Sequence, residues 1–412
     1  MGYETLNKCN YYIYVLMPYV YKLYMTSTNQ DINVSKIKNQ CIKIFNKVDN
    51  NKIIINDIVI RLTYGWNVFL VHNIISCKLE KSVYTILYDR FPLTTKLENK
   101  NMLNILICAD QYYFYGMFAL LQSIITNTSS IHNINFNIML DIHNCNNFTH
   151  MLDVLERKNN IVLNKRVIYI DINILDDTIL KTTCFNGGGH LLNIGNFSRL
   201  LIGEIFSDDK LIYLDSDSIV QCDLFHKCKN LTIDLPIYAP RADKHSTQRG
   251  KSVVIPLQYI ITCYYDWKTI IGSDINGKDY VYMGAPFIAN CTLWKSVYKK
   301  IIAILKIHNK TKGGIFKLFT MSLQNIVFYG KTGNLNNILR CLQDLGNRRR
   351  RWDIHDFNCH DILDWSGIYK PWYKNGLHKD IWEKYNILDI RKDAVVLPKK
   401  KSVEKNWAQN TM

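Results

Sequence analysis

Apolar residues occur along this chain both as continuous runs and as segments with helical spacing. The run "NILICAD", Asn104 to Asp110, is apolar throughout and ends on an acid, which is typical of a strand buried on both faces. "GMFALLQSIITN" follows with helical spacing, and "INFNIMLDI" has the pattern of a second strand. Strand, helix and strand in this order predict a parallel unit with a right-handed crossover.

The same pattern continues towards the middle of the chain. "NFSRLLIGEIF" predicts a helix that starts near Ser198, and "KLIYLDSD" predicts another buried strand. Residues 104–225 therefore predict an α/β sheet whose two clearest strands end on Asp110 and Asp215. Because ligands of open parallel sheets bind outside the carboxyl ends of the strands, we expect these two acids to meet in one crevice.

The flanking segments carry weaker signals. Residues 1–100 mix short apolar runs with lysine-rich connections and predict an N-terminal extension of unknown role. We expect one main domain at 101–395 and a basic, polar C-terminal tail at 396–412. The tyrosine-rich stretch Tyr11–Met25 contains a proline and a lysine and is shorter than the ~20 apolar residues of a membrane span. We therefore expect no transmembrane segment, no signal peptide and a cytoplasmic or cytosol-facing protein.

Composition narrows the choice of partners. The formal net charge is +16 over 412 residues, which favours anionic partners, although scattered lysines also arise from a lysine- and asparagine-rich composition. A nucleic-acid-binding protein should have a clustered basic face with interleaved aromatic residues, and the one dense basic run is Arg348–Arg351, so nucleic acid is not an expected partner. The twelve cysteines are single, which excludes paired zinc knuckles and favours reduced thiols.

Two acids that share one serine end the strand of "KLIYLDSD". Hard divalent cations prefer oxygen ligands, and Asp215 and Asp217 on a tight turn can direct both carboxylates at one ion. Such an ion can hold a diphosphate and neutralise its charge as it leaves. The structural alternative is an ordinary turn, because Asp and Ser are common turn formers.

A second segment, "DWSGIYKPW", lies near the C-terminus. Gly367 permits a close backbone approach, and Lys370 offers a point charge for phosphate. The alternative interpretation is a surface turn with an aromatic anchor.

Together these motifs resemble glycosyltransferase family 8, the family of glycogenin and the bacterial lipopolysaccharide galactosyltransferases. The most specific part is "SRLLIGEIFSDDKLIYLDSDSIV", and the resemblance covers residues 102–390. It implies a nucleotide-sugar-binding fold of the GT-A type with a central, mostly parallel sheet. It also implies a UDP-sugar donor, Mn²⁺ (or Mg²⁺) as the ion, and retention of the anomeric configuration.

The resemblance also implies roles for single residues. On the donor side, Asp110 corresponds to an acid that contacts uracil and Tyr113 to an aromatic residue near the base. Gly367 and Lys370 correspond to the C-terminal glycine and to the lysine that binds the diphosphate. Arg199 corresponds to a helix arginine that approaches the donor.

The implied metal ligands are Asp215, Asp217 and Asp364. Asp364 stands where the family has histidine, so the expected ligand set consists of oxygen atoms alone. Asp243, in "APRAD", corresponds to a sugar-contacting acid and is the second candidate catalytic residue beside Arg199.

Two segments that line the sugar in the family are changed in this chain. They are Met283–Ala285, which lacks an asparagine, and Thr320–Ser322, which lacks two acids and a glutamine. Two hypotheses therefore stay open: a metal-dependent retaining transferase of a hexose or pentose, and a family member that binds nucleotide diphosphate without transferring sugar. Neither the donor sugar nor the acceptor, whether protein, glycan or lipid, follows from the sequence.

Overall fold

The structure is a computed structural model. It describes residues 59–62, 66–69, 85–89, 102–141, 145–170, 194–206, 210–245, 252–262, 266–294, 297–311, 314–315, 317–348 and 352–387. The chain divides into two compact units, Met1–Arg61 with Phe69–Leu79 and Leu62–Val68 with Glu80–Met412. The sheet, the core and the site described in the following paragraphs all belong to the second unit.

Strands and helices alternate along the second unit. Over the described parts of the whole chain the strands are Val59–Leu62 (β1), Trp66–Phe69 (β2), Thr85–Asp89 (β3), Leu103–Ala109 (β4), Ile134–Asp141 (β5), Asn164–Ile170 (β6), Leu211–Asp215 (β7), Ser218–Val220 (β8), Ile237–Ala239 (β9), Asp243–His245 (β10), Ser252–Val254 (β11), Phe287–Ala289 (β12), Thr332–Asn334 (β13), Cys341–Leu342 (β14) and Ile362–Asp364 (β15). The α-helices over the same parts are Phe114–Asn127 (α1), Cys145–Asn159 (α2), Ile194–Ser198 (α3), Ile202–Ile205 (α4), Leu224–Cys228 (α5), Trp267–Ile271 (α6), Cys291–Trp294 (α7), Val297–Lys310 (α8), Phe319–Val327 (α9), Ile354–Asn358 (α10) and Lys379–Glu383 (α11).

A central sheet organises this unit, with the strand order β3-β6-β5-β4-β7-β12-β9-β13. The strands β6, β5, β4 and β7 are parallel neighbours, and Ile107 of β4 pairs with Ile138 of β5 and Leu214 of β7. At one side β12 runs antiparallel to β7 and β9, and at the other β3 runs antiparallel to β6. The mostly parallel α/β sheet expected from the sequence is therefore confirmed.

Apolar packing fixes the strands that end at the crevice. β4 is almost entirely buried, as its continuous apolar run predicts. On the other side of β7, the ring of Tyr213 stacks on Phe287 at 4.8 Å between centroids, and Phe287 stacks on Trp294 at 5.8 Å. Stacked aromatic pairs contribute about 0.5–1.5 kcal/mol beyond the burial of their area. This stack holds the end of β7 against β12.

The predicted helix "NFSRLLIGEIF" is divided into three pieces. α3 ends at Ser198, a 3₁₀ turn spans Arg199–Leu201, and α4 follows. Leu200, Leu201 and Ile202 are consecutive and all buried, and consecutive residues cannot share one face of a regular α-helix. The segment is therefore wrapped into the core, and the tight turn buries Arg199 with it.

A small second sheet begins where β7 ends. Its strand order is β14-β15-β8, and β8 pairs antiparallel with β15, so that Ser218 lies opposite Asp364. Ser216 and Asp217 form the turn between β7 of the central sheet and β8 of the small one. The Asp-x-Asp motif therefore lies at the junction of the two sheets, with a C-terminal strand beside it.

Much of the predicted N-terminal extension and all of the predicted tail, 396–412, lie outside the described residues, as does the stretch Tyr11–Met25. Residues 85–89 of the predicted extension form β3 and pair with β6. In the described parts of the chain, no helix combines the length and the apolar character that crossing a membrane requires.

We expect the stability of the fold to depend on pH through His308, which is buried in α8. Burial lowers the pKa of His308 from its ordinary value of 6.5 to about 4. Between these values the unfolded chain binds a proton that the folded chain does not, so the free energy of unfolding falls as pH falls from 6.5 towards 4. His308→Leu should flatten this dependence relative to the parent in thermal melts. Parallel melting-temperature curves for both proteins would contradict the expectation.

Candidate active site

A cavity of about 170 Å³ opens where β4 and β7 end. The residues that line it come from β4, the 3₁₀ turns, the β7–β8 turn and the C-terminal segment. Those that the sequence predicted are Asp110, Tyr113, Arg199, Asp215, Asp217, Asp364, Gly367 and Lys370. The structure therefore gathers eight of the nine predicted site residues around one cavity.

Three carboxyl groups converge in this cavity. Asp215 ends β7, Asp217 lies in the turn and Asp364 ends β15, and one carboxylate oxygen from each lies within 4.8 Å of the others. The pairing of β15 with β8 brings Asp364 to the turn from a distant part of the sequence. Oxygen atoms at this spacing match the ligand preference of a hard divalent cation.

Asp364 is the most deeply buried of the three acids. The Ser218 hydroxyl donates to its Oδ2 over 3.0 Å, and the Ser366 amide donates to its Oδ1 over 2.8 Å, with a further bond from the Ser366 hydroxyl. Burial and the charges of Asp217 and Asp215 raise the pKa of Asp364 to about 8. Because crowded carboxylates raise this pKa, a cation among them would stabilise the ionised form.

Arg199 and Tyr213 hold one oxygen of Asp215. The guanidinium donates to Oδ1 over 2.8 Å and the Tyr213 hydroxyl donates to the same atom over 2.7 Å. Arg199 also donates to the carbonyls of Gly284 and Asn196 at 2.9 and 3.1 Å, and lies 4.4 Å above the Tyr213 ring. Burial raises the pKa of Asp215, although Arg199 acts in the opposite direction.

Tyr213 was not among the predicted site residues. The sequence could have indicated its place in the site, because residues two apart on a strand face the same side and Tyr213 precedes Asp215 by two positions. A tyrosine on that face at the end of the strand can reach the carboxylate.

Lys370 faces Asp217 from the C-terminal segment. Its ammonium forms an ion pair with Asp217 and donates to the Trp365 carbonyl over 2.7 Å. It also lies 5.4 Å from the centroid of the Tyr113 ring. Burial alone would lower the pKa of Lys370, but the neighbouring Asp217 carboxylate raises it above its ordinary value.

Asp110 and the aromatic Tyr113 also line the cavity. Asp110 caps the 3₁₀ turn by accepting the Tyr112 amide over 2.8 Å. The Tyr113 ring packs edge-on against Trp372 with 5.7 Å between centroids. Trp372 therefore supports the wall of the cavity.

Two glycines allow the C-terminal segment to fold back on itself. Gly367 has φ +112°, in the region that side chains disfavour, and a Cβ there would lie 2.5 Å from the Gly346 carbonyl oxygen. A larger residue would push these backbones apart. Gly367 thus places the stretch between Asp364 and Lys370 against the cavity.

The sequence pattern of the family described as Glycosyl transferase family 8 matches residues 104–376, more than half of the chain. The chain belongs to glycosyltransferase family 8.

Curated relatives carry the same family name. The chain is 28% identical over 213 residues to glycosyltransferase 8 domain-containing protein 2 of Macaca fascicularis, which covers 48% of this chain and 60% of that protein. It is 23% identical over 305 residues to glycosyltransferase 8 domain-containing protein 1 of Mus musculus, which covers 71% of this chain and 79% of that protein. The chain therefore spans less than two thirds of the length of the first relative.

Solved glycosyltransferases have a similar fold. The apo structure of the bifunctional glycosyltransferase WbbM has a TM-score of 0.50 at 16% identity, covering 72% of this chain and 51% of that chain. The galactosyltransferase LgtC, solved with donor and acceptor sugar analogues, has a TM-score of 0.48 at 16% identity, covering 69% of this chain and 95% of that chain. The likeness to WbbM agrees with the GT-A type fold expected from the sequence.

Residues of segment 320–325 make structural contacts. Asn325 accepts from the Tyr282 amide over 2.8 Å and donates to the Tyr282 carbonyl over 2.7 Å. This pairing holds the segment that leads to Gly284, whose carbonyl accepts from Arg199. The Thr320 hydroxyl donates to Asn196 over 3.0 Å, and the Ser322 hydroxyl donates to the Ile260 carbonyl over 2.9 Å.

Asp243, the ninth predicted site residue, is described by its backbone alone. Its backbone begins β10 and pairs with Val254 of β11, and its side chain lies outside the described residues. Its sugar-contacting role stays a prediction. From the basic run, Arg348 lies 4.0 Å from the centroid of the Tyr369 ring, and residues 349–351 lie outside the described residues.

Gly116 of α1 provides a test of how closely the cavity wall is packed. A Cβ on Gly116 would lie 2.5 Å from the Ser216 carbonyl oxygen and 2.6 Å from the Trp372 ring. In an open helix, Gly→Ala stabilises by about 1 kcal/mol. Here we expect Gly116→Ala to lower the melting temperature, because the turn between the aspartates must move. Thr126→Ala, an exposed change on the same helix, is the control, and equal behaviour of both variants would contradict the packing argument.

Proposed function

We propose that this chain is a metal-dependent glycosyltransferase that moves a hexose or pentose from a UDP-sugar to an acceptor, with retention of configuration. The observation that carries the proposal is the convergence of Asp215, Asp217 and Asp364 beside Lys370 in one cavity. Membership of glycosyltransferase family 8 supports the reaction class.

The three acids offer the oxygen ligands that a divalent cation prefers. Their oxygen atoms lie within 4.8 Å of one another, and hard cations such as Mn²⁺ and Mg²⁺ accept carboxylate ligands. A bound cation of this kind neutralises the negative charge that develops on a diphosphate leaving group. Asp215, Asp217 and Asp364 are the residues that would hold it.

The remaining residues bind and orient the donor. Lys370 provides a buried positive charge for the diphosphate. Asp110 and Tyr113 line the cavity and are suited to the uracil base. Arg199 keeps Asp215 in place through its bond to Oδ1.

The route of transfer follows from the residues near the sugar positions. A double displacement needs a carboxylate below the sugar ring, and Thr320–Ser322 offers none. The hydroxyls of Thr320 and Ser322 are already engaged by Asn196 and Ile260. We therefore propose front-face attack, in which positioning and charge neutralisation supply most of the rate enhancement.

Asp217→Asn tests the metal-dependent part of the proposal. The loss of a supporting group near a metal typically costs ~10–100-fold in metal affinity, so loss of a ligand charge should weaken Mn²⁺-dependent UDP binding at least about 100-fold. Calorimetry with Mn²⁺ and UDP measures this, and circular dichroism checks the fold. Asp274→Asn, at an exposed acid, should bind as the parent does. Parent-like binding by Asp217→Asn would remove the basis of the metal site.

Release of UDP separates a transferase from a protein that only binds the nucleotide. Mass spectrometry should detect Mn²⁺-dependent hydrolysis of at least one among UDP-glucose, UDP-galactose, UDP-xylose and UDP-N-acetylglucosamine. The hydrolysis should disappear in Asp217→Asn. Tight UDP binding with no hydrolysis of any of the four sugars would favour the binding function instead.

Asp364→His tests the all-oxygen ligand set. Imidazole favours softer transition metals, so the variant should keep its metal site and shift preference towards Mn²⁺ over Mg²⁺ in electron paramagnetic resonance competition. Asp364→Asn is the matched control, because the amide oxygen can still accept from Ser366 while the charge is lost. If Asp364 only caps the turn, both variants will show the parent's competition curve, and the ligand assignment is then wrong.

A further inference from the structure

Two of the three clustered acids are each engaged by a cation of the chain itself. Arg199 contacts Asp215, and Lys370 contacts Asp217. The Lys370 and Asp217 side chains are only 7% and 10% exposed. Without a bound ion, this protein's own side chains therefore balance much of the charge of the carboxylate cluster.

The two cations differ in how firmly they are held. Arg199 donates to Asp215, Gly284 and Asn196 and lies on the Tyr213 ring, so its planar head has a fixed position. Lys370 has a compact ammonium on a four-carbon stem, and it donates to Asp217 and to the Trp365 carbonyl. Fewer contacts therefore hold the Lys370 ammonium than hold the Arg199 guanidinium.

We propose that Lys370 is an exchangeable counter-ion, which neutralises Asp217 in the free protein and leaves it for the donor diphosphate when a divalent cation binds. This inference rests on the proposed function and adds an order of binding to it. Lys370 lines the same cavity as the three acids, so the ammonium needs only a change of side-chain rotamer to reach a ligand there.

Charge explains why the exchange requires the diphosphate. A divalent cation and an ammonium on the same carboxylate repel each other, and breaking a buried ion pair leaves an uncompensated charge that is strongly unfavourable. A diphosphate supplies new anionic partners for the released Lys370. The cation alone should therefore bind weakly, and cation and UDP should strengthen each other's binding by the same factor.

The decisive measurement is binding of Mn²⁺ in the absence of nucleotide. Lys370→Gln removes the competing charge, so the variant should bind Mn²⁺ alone more tightly than the parent. The gain should be at least about fivefold, the upper value for an exposed ion pair, because this pair is buried. The same variant should bind UDP more weakly in the presence of Mn²⁺. Electron paramagnetic resonance counts free Mn²⁺ in both experiments, with and without UDP.

Lys374→Gln is the matched control, since it removes the same charge from an exposed lysine four residues away. It should leave both affinities near those of the parent, which separates the local exchange from a general effect of net charge. Lys370→Met, which keeps an unbranched stem beside the Tyr113 ring, is a second variant for the case that glutamine disturbs the fold. Circular dichroism compares all four proteins.

The outcomes are distinct. Unchanged or weaker binding of Mn²⁺ alone by folded Lys370→Gln or Lys370→Met would overturn the exchange, because Lys370 would then support Asp217 as a ligand. Mn²⁺ binding by the parent in the presence of UDP would still support the proposed function in that case. If the parent does not bind Mn²⁺ even with UDP, the proposed function and the exchange both fail.

Discussion

Charge balance in a buried carboxylate cluster is the constraint on which this site depends. Three acids place an oxygen within 4.8 Å of one another, and like charges at that distance repel strongly when solvent is excluded. Two cations offset this repulsion: the Arg199 guanidinium pairs with Asp215 and the Lys370 ammonium pairs with Asp217. Burial, with the charges of Asp217 and Asp215 added to it, raises the pKa of Asp364 to about 8, so a cation beside this third acid would favour its ionised form.

Core residues of the domain contribute to this balance of charge. Arg199 can be buried because a 3₁₀ turn carries it into the core and because the carbonyls of Gly284 and Asn196 accept its other N–H groups. Tyr213 joins the aromatic stack through its ring and the site through its hydroxyl. Packing and electrostatics therefore act on the same side chains, and a change that loosens the stack also displaces Asp215.

The sequence predicted the features that depend on local pattern. The strands around 104–110 and 211–215 follow from continuous apolar runs, and their acids meet as open parallel sheets require. α2 and β6 were missed, because polar residues interrupt the apolar pattern of α2. The position of Asp364 beside the turn at Asp217 depends on pairing between strands that are distant in the sequence. The spacing of apolar residues does not predict such a pairing, and the family resemblance alone predicted that part of the site.

The C-terminal segment makes the third acid and the lysine parts of one structural unit. The Trp365 amide donates to the Asp217 carbonyl over 3.0 Å, its indole donates to the Leu377 carbonyl over 2.9 Å, and its own carbonyl accepts Lys370. Trp365 is fully buried, so the loop is fixed at its centre. A shift of the Asp-x-Asp turn is therefore transmitted through the Trp365 backbone to both Asp364 and Lys370. In the proposed function, metal ligation and phosphate binding are coupled by this backbone connection as well as by charge, and we expect a single residue change in the segment to alter both.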